Sequence, residues 1–152
     1  MIEMKKQDFN LTEHFKLSEF VTSATALRKG ISNEPDCEAI ASLEHLCRTV
    51  LEPLRAYAGR PIRINSGYRC EALNYAVGGV GNSQHIRGEA ADLWLPDVET
   101  GRSWYAFIVR HCNFDQLLYE FSGSHFWLQV SACRDERRNR HMAIPNSKAR
   151  RT

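Results

Sequence analysis

The sequence lacks long hydrophobic runs, and its first fifteen residues, MIEMKKQDFNLTEHF, contain no apolar stretch of signal-peptide length. A membrane-spanning helix needs roughly 20 predominantly apolar residues, so no transmembrane segment is expected. We therefore expect the chain to be cytoplasmic as synthesised and to reach any target outside the cell only after release or export. Internal repeats and low-complexity segments are also missing, and 152 residues favour one domain.

An excess of charge of one sign is missing as well, because 20 Lys and Arg residues face 18 Asp and Glu residues. This balance argues against a dedicated nucleic-acid partner. Basic residues do gather from Arg134 onward, and a contact with nucleic acid or another anionic polymer is one interpretation of them. We instead predict a solvated, partly frayed terminus. The predicted organisation is a single domain over residues 1–144 and a basic tail over residues 145–152.

The cysteines show neither an even count nor close spacing. The five are Cys37, Cys47, Cys70, Cys112 and Cys133. Zinc sites built from cysteine need ligands two to four residues apart, and this spacing is missing. The pattern therefore predicts reduced thiols, mostly buried, and marks no cysteine as a nucleophile.

Helical periodicity is clearest from Pro35 to Tyr57, where apolar residues recur every three or four positions until Gly59. A shorter helix is predicted after Ser23, and another in TGRSWYAFIVRHC. Strands are predicted in PIRINSG, EAADLWLP, FDQLLYEF and FWLQVSA, the last two forming a hairpin around SGS. This order of elements predicts an α+β fold with helices packed on a small, mostly antiparallel sheet.

A metal site is one interpretation of residues 82–96, NSQHIRGEAADLWLP. His85 follows a polar turn, Gly88 permits tight passage of the backbone, and Asp92 lies within an apolar strand. Burying a carboxylate there is unfavourable unless it is paired or bound to a metal. Hydrogen bonds from Asp92 to backbone amides or to an arginine are the alternative, and the spacing alone does not decide between them.

The segment SQHIRGEAAD resembles the Ser-x-His-x-x-Gly-x-Ala-x-Asp signature of the zinc D-alanyl-D-alanine carboxypeptidase family. Members share a fold with Hedgehog signalling domains and several phage endolysins. LSEF, LRAYAGRPIRINSGYRCEALNYAVGG, FDQLLYEF and FWLQVS also look like the small single-domain branch of that family, over about residues 9–144. The resemblance implies a zinc-dependent peptidase that acts on the stem peptides of peptidoglycan, and we expect a monomer.

The resemblance places the first two zinc ligands on His85 and Asp92. It places the signature serine on Ser83 and the arginine near the substrate and the oxyanion on Arg69. The third ligand falls in a Trp-x-His-x-Ser strand, which here is WLQVS, so its position is Gln129. A neutral amide oxygen is a poor zinc donor beside imidazole, so we expect weak zinc binding or none.

Other histidines are not expected to replace the missing ligand. His125 precedes Gln129 by four residues, roughly 13 Å along a strand, and His141 belongs to the C-terminal region. We predict that both lie on the surface. Glu120 matches an acidic position of this branch and is the only candidate for the general base, with a charged strand end as the alternative. Asp115 is interpreted as a structural anchor of a turn.

Two functions therefore remain open at the level of sequence. The first is a metallopeptidase in which Glu120 transfers the proton and Arg69 stabilises negative charge. The second is an inactive relative that binds peptidoglycan peptides or a protein partner through the same cleft. Gln129 is the residue that separates the two.

Overall fold

The structure is a computed structural model that describes residues 8–148. Helices pack against one face of a five-stranded sheet, and the predicted α+β class is confirmed. Between residues 8 and 148, no helix combines the length and the hydrophobicity that a membrane span requires. All five cysteines are free, and Cys47, Cys112 and Cys133 are buried.

The helices begin and end largely where the sequence predicts. They are α1 (Leu17–Val21), α2 (Ala24–Lys29), α3 (Cys37–Leu46), α4 (Glu52–Ala58), α5 (Glu71–Ala76) and α6 (Val98–His111). Ser23 caps α2, since its side chain accepts a hydrogen bond from the Ala26 amide. The helix predicted over residues 35–57 is present as α3 and α4, joined without a break by a π-helical segment, Cys47–Leu51.

The strands are β1 (Asn10–Thr12), β2 (Phe15–Lys16), β3 (Ile64–Ser66), β4 (Ala90–Trp94), β5 (Gln116–Ser122), β6 (His125–Ser131) and β7 (Met142–Lys148). A small β1–β2 hairpin stands apart from the main sheet, whose strand order is β3-β4-β6-β5-β7. The pairs within β3-β4-β6-β5 are antiparallel, and β5 and β6 form the predicted hairpin. Only β7 runs parallel to its neighbour, so the sheet is mixed.

Alternation along the strands gives the sheet two different faces. Leu93, Leu117 and Leu128 are fully buried against α3, α4 and α6 in the hydrophobic core. Residues one position away, including Asp92 and Gln129, point to the opposite face. Polar residues therefore collect on one side of the sheet, and the candidate site lies there.

The region predicted as a frayed terminus has a defined conformation over residues 134–148, and that prediction is wrong there. Strand β7 hydrogen-bonds to β5, and Arg140 forms a two-pronged ion pair with buried Asp115 at 2.9 and 3.1 Å. A basic, proline-containing sequence gives little strand signal, but an unpaired edge of β5 is available to it. Residues 145–148 of the predicted tail lie in β7, while Arg150 and Arg151 lie outside the described residues.

Candidate metal centre and its cleft

A single 3-10 turn, Gln84–Arg87, positions His85. Ser83 precedes the turn, and its hydroxyl accepts a hydrogen bond from the His85 amide at 3.2 Å. Gly88 ends the turn at φ 73°, and a Cβ there would lie 2.5 Å from the Ala39 carbonyl oxygen. Only glycine combines this positive φ with so close a contact, so Gly88 determines how the chain passes from His85 into β4.

The ring of His85 is held in one orientation. Its Nδ1 lies 2.6 Å from the carbonyl oxygen of Gly67. A carbonyl can only accept, so Nδ1 carries the hydrogen and donates it. A Cβ on Gly67 would lie 2.7 Å from the Cβ of Phe20, so a larger residue would displace this carbonyl. The remaining nitrogen, Nε2, is left free to bind something else.

Asp92 is the group that His85 faces. Its Oδ1 lies 3.5 Å from His85 Nε2, and both atoms are buried without a hydrogen-bond partner. In the neutral imidazole, both atoms are acceptors that carry lone pairs towards one another. A proton on Nε2 would relieve this arrangement, and so would a metal ion bound by both atoms. The donor chemistry of the pair therefore fits zinc at two positions.

Gln129 lies beside this pair because of the strand register. It is the direct partner of Asp92 in the β4–β6 ladder and of Leu118 in the β5–β6 ladder. The predicted third position is therefore next to the first two, but it offers an amide. Among residues 8–148, no three His, Cys, Asp or Glu side chains are grouped so as to hold a metal ion. Any metal bound here would depend on Gln129 or on solvent to complete its coordination.

Glu120 projects from β5 onto the same face and is only 4% exposed. Burial, reinforced by the negative charge of Asp92, raises the pKa of Glu120 to about 7. The nearby Trp127 indole and His85 partly oppose this rise. Glu120 Oε1 has no hydrogen-bond partner. A carboxyl group with a pKa near neutrality can both accept and donate a proton at physiological pH, as a general acid–base must.

Arg69 completes the polar cluster. The residue is 6% exposed. Its guanidinium donates to the Ser83 hydroxyl at 3.5 Å, and its backbone amide donates to the His85 carbonyl at 3.0 Å. Burial lowers the pKa of Arg69, and the Asp92 carboxylate opposes this effect. Arginine retains its charge under such conditions, so a buried cation stands beside the His85–Asp92 pair.

These side chains surround a cleft of about 390 Å³. Five of the six residues predicted from sequence line it: Arg69, Ser83, His85, Glu120 and Gln129. The sixth, Asp92, lies behind His85 at 3.5 Å and lines a neighbouring depression. The sequence does not predict the outer wall of the cleft, to which β7 contributes Met142, Ile144, Ser147 and Lys148. Their sequence contains no catalytic signature, and only the pairing of β7 with β5 brings them to the cleft.

The three remaining candidates lie outside the lining of the cleft. His125 and His141 are both exposed, and the His141 ring packs on Phe114 at 5.1 Å between ring centres. Neither of them lines the cleft. Asp115 is buried and bound to Arg140, which agrees with its interpretation as an anchor.

Comparison with known protein families matches residues 13–129 to the family Peptidase M15. The match begins before α1 and ends at Gln129, so β7 lies beyond it. No curated protein matches the chain.

Proposed function

The chain belongs to the Peptidase M15 family, and from this premise we propose that it is a zinc-dependent peptidase acting on the stem peptides of peptidoglycan. The observation that supports the proposal is the His85–Asp92 pair. Two buried acceptor atoms 3.5 Å apart have no partner, as expected of a metal site. The distribution of Arg69, Glu120 and Gln129 around one cleft adds to it.

In this proposal, His85, Asp92 and the amide oxygen of Gln129 would hold the zinc. When bound, zinc supplies Lewis acidity towards water and the peptide carbonyl. A carboxylate oxygen of Glu120 accepts a proton from the attacking water, and the same group then donates this proton to the leaving amine. The products are a new carboxylate and a free amine, so one water molecule is consumed per bond cleaved.

Arg69 has the complementary role of stabilising negative charge that develops on the carbonyl oxygen. A buried guanidinium acts more strongly than an exposed one, because little water screens it. Ser83 holds both Arg69 and the His85 turn through its single hydroxyl. We assign Ser83 a positioning role on this basis, with contact to substrate as a further proposal.

Gln129 favours a second candidate function, a peptide-binding protein without catalysis. Loss of one imidazole weakens zinc binding, while the cleft and its charges remain. The substrate class would be the same, but peptides would be bound and released intact. In either case we propose that the chain acts on the cell wall, and a monomer stays our prediction.

Zinc content separates the two candidates. The purified protein is dialysed against zinc-containing buffer and then metal-free buffer, and zinc per chain is measured by elemental analysis. About one zinc per chain, together with hydrolysis of purified peptidoglycan, is expected of the enzyme. A chain that binds stem peptides without zinc and without hydrolysis would be the binding protein.

Two substitutions sharpen this experiment. Gln129→His supplies the missing imidazole and should increase zinc affinity and hydrolysis. Gln116→His is the matched control, because it adds a histidine to the same cleft away from the Asp92–Gln129 register position. Equal zinc binding by both variants would contradict the assignment of Gln129 as the third ligand.

A further inference from the structure

One row of side chains crosses the whole sheet through the candidate metal centre. Strand register aligns Ser66, Asp92, Gln129, Leu118 and Ile144, one from each strand. Four strand spacings of about 4.8 Å make this row roughly 19 Å long. An extended peptide of that length contains five or six residues, at about 3.3–3.6 Å each. The row is therefore much longer than a single terminal amino acid requires.

A depression of about 270 Å³ lies on the β3 side of the metal centre. Its lining is polar and includes Thr22, Asn65 and Ser66. Asp92 and Arg69 form its inner end. Thr22 and Asn65 are exposed, so the depression continues out to the protein surface.

The 390 Å³ cleft lies on the β7 side and is more apolar, with Val80, Leu118 and Ile144 in its lining. His85 and Arg69 form its inner end. Val80 is 51% exposed and Ile144 36% exposed, so this side also opens outwards. Arg69 borders both depressions, while His85 lines one and Asp92 the other. The His85–Asp92 pair thus stands between two binding spaces.

The positions of the cationic side chains bear on whether a free terminal carboxylate of the substrate can be bound next to the cleaved bond. Removal of a terminal residue calls for a cation that binds its carboxylate next to the cleaved bond. In the described part of the chain, Arg69 and Lys148 are the Lys and Arg residues that line the two depressions. Arg69 lies at their junction, where the proposed function assigns it to the carbonyl oxygen of the cleaved bond and not to a terminal carboxylate. Lys148 is exposed and four residues from Ile144, roughly 13 Å along β7.

We propose that the 390 Å³ cleft and the 270 Å³ depression bind one peptide chain on opposite sides of the cleaved bond. The protein is then an endopeptidase and not a carboxypeptidase. The inference rests on the proposed function for the chemistry and on the two depressions for the substrate. Polar contacts on the β3 side and apolar contacts on the β7 side hold opposite ends of one peptide.

Binding and hydrolysis of two synthetic peptides test the proposal. The short peptide is N-acetylated Lys-D-Ala-D-Ala with a free carboxylate, and the long one continues for two further residues and ends in an amide. Binding is measured by titration calorimetry with zinc present, using Glu120→Gln to keep the peptides intact. Hydrolysis is measured with the wild-type protein and with Gln129→His. We expect at least tenfold tighter binding of the long peptide.

Blocking substitutions identify the space that gives this gain. Asn65→Trp on the β3 side and Val80→Trp on the β7 side each place a bulky ring in one depression. Each should lower affinity for the long peptide about tenfold. Arg110→Trp, on an exposed position of α6, is the control and should change nothing. Unaltered binding in both blocking variants would overturn the proposal.

The outcomes for the two proposals differ. Tighter binding of the long peptide without hydrolysis would support the two-sided cleft and refute the peptidase. Hydrolysis of the short peptide, with no tighter binding of the long peptide, would support the peptidase and refute the two-sided cleft. Failure to bind either peptide and to cleave either one would refute both.

Discussion

Replacing Glu120 by glutamine should abolish hydrolysis while stabilising the metal-free protein above neutral pH. Burial and the Asp92 charge raise the Glu120 pKa from an ordinary 4.5 to about 7. Below pH 4.5 the carboxyl group is protonated in both folded and unfolded chains. Between these values the unfolded chain loses the proton and the folded chain keeps it, so stability falls as pH rises. The fall is complete above the folded-state pKa.

The size of the effect follows from the same two values. Each pH unit between them corresponds to about 1.4 kcal/mol, so the full loss is roughly 3–4 kcal/mol. Glutamine has nearly the same shape and does not titrate. The variant should therefore match the wild type near pH 4.5 and exceed its unfolding free energy by up to about 3–4 kcal/mol at pH 8. Bound zinc would reduce this difference, because a cation stabilises the carboxylate.

Urea unfolding at pH 4.5 and pH 8, with chelator present, measures the difference. Glu99→Gln, on an exposed position of α6, controls for the change from carboxylate to amide. The same two proteins assayed with zinc should show a loss of hydrolysis of about 100-fold or more for Glu120→Gln only. If the difference in unfolding free energy between Glu120→Gln and wild type is the same at pH 4.5 and pH 8, burial does not raise this pKa.

Further substitutions test the third ligand position, the turn after His85 and the Asp115–Arg140 anchor. Gln129→His should tighten zinc binding at least tenfold in competition with a chromophoric chelator, and an unchanged affinity would remove Gln129 from the ligand set. Gly88→Ala should destabilise the fold by about 1–2 kcal/mol from the positive φ alone and by more from the contact with Ala39, as measured by urea unfolding. Asp115→Asn should destabilise it by about 1–3 kcal/mol, near the lower end because Arg140 is half exposed, and an equal loss in Arg140→Gln would confirm that the pair is responsible.

The sequence predicted the structure well where all the interacting residues lie in one short segment. His85, Gly88 and Asp92 lie within eight residues, so a turn and a strand suffice to bring the two predicted ligands within 3.5 Å of each other. The capped helix after Ser23 and the β5–β6 hairpin are similar cases, because their hydrogen bonds join residues close in the chain.

Prediction was weakest where distant segments meet. The basic sequence from Arg134 onward predicts a frayed terminus, yet β7 completes the sheet and lines the cleft. Its residues have weak strand propensity, and the available edge of β5 decides their conformation. Parallel pairing at an edge leaves no local pattern from which it could be predicted.

The sequence by itself determined the residue types of the site and the presence of glutamine where the resemblance requires histidine, because those are properties of single positions. Tertiary structure decided that Gln129 lies directly across from Asp92, that Glu120 is buried near that carboxylate, and that a depression extends on each side of the pair. The physical reason is that register, burial and cavity shape depend on contacts between segments far apart in the chain.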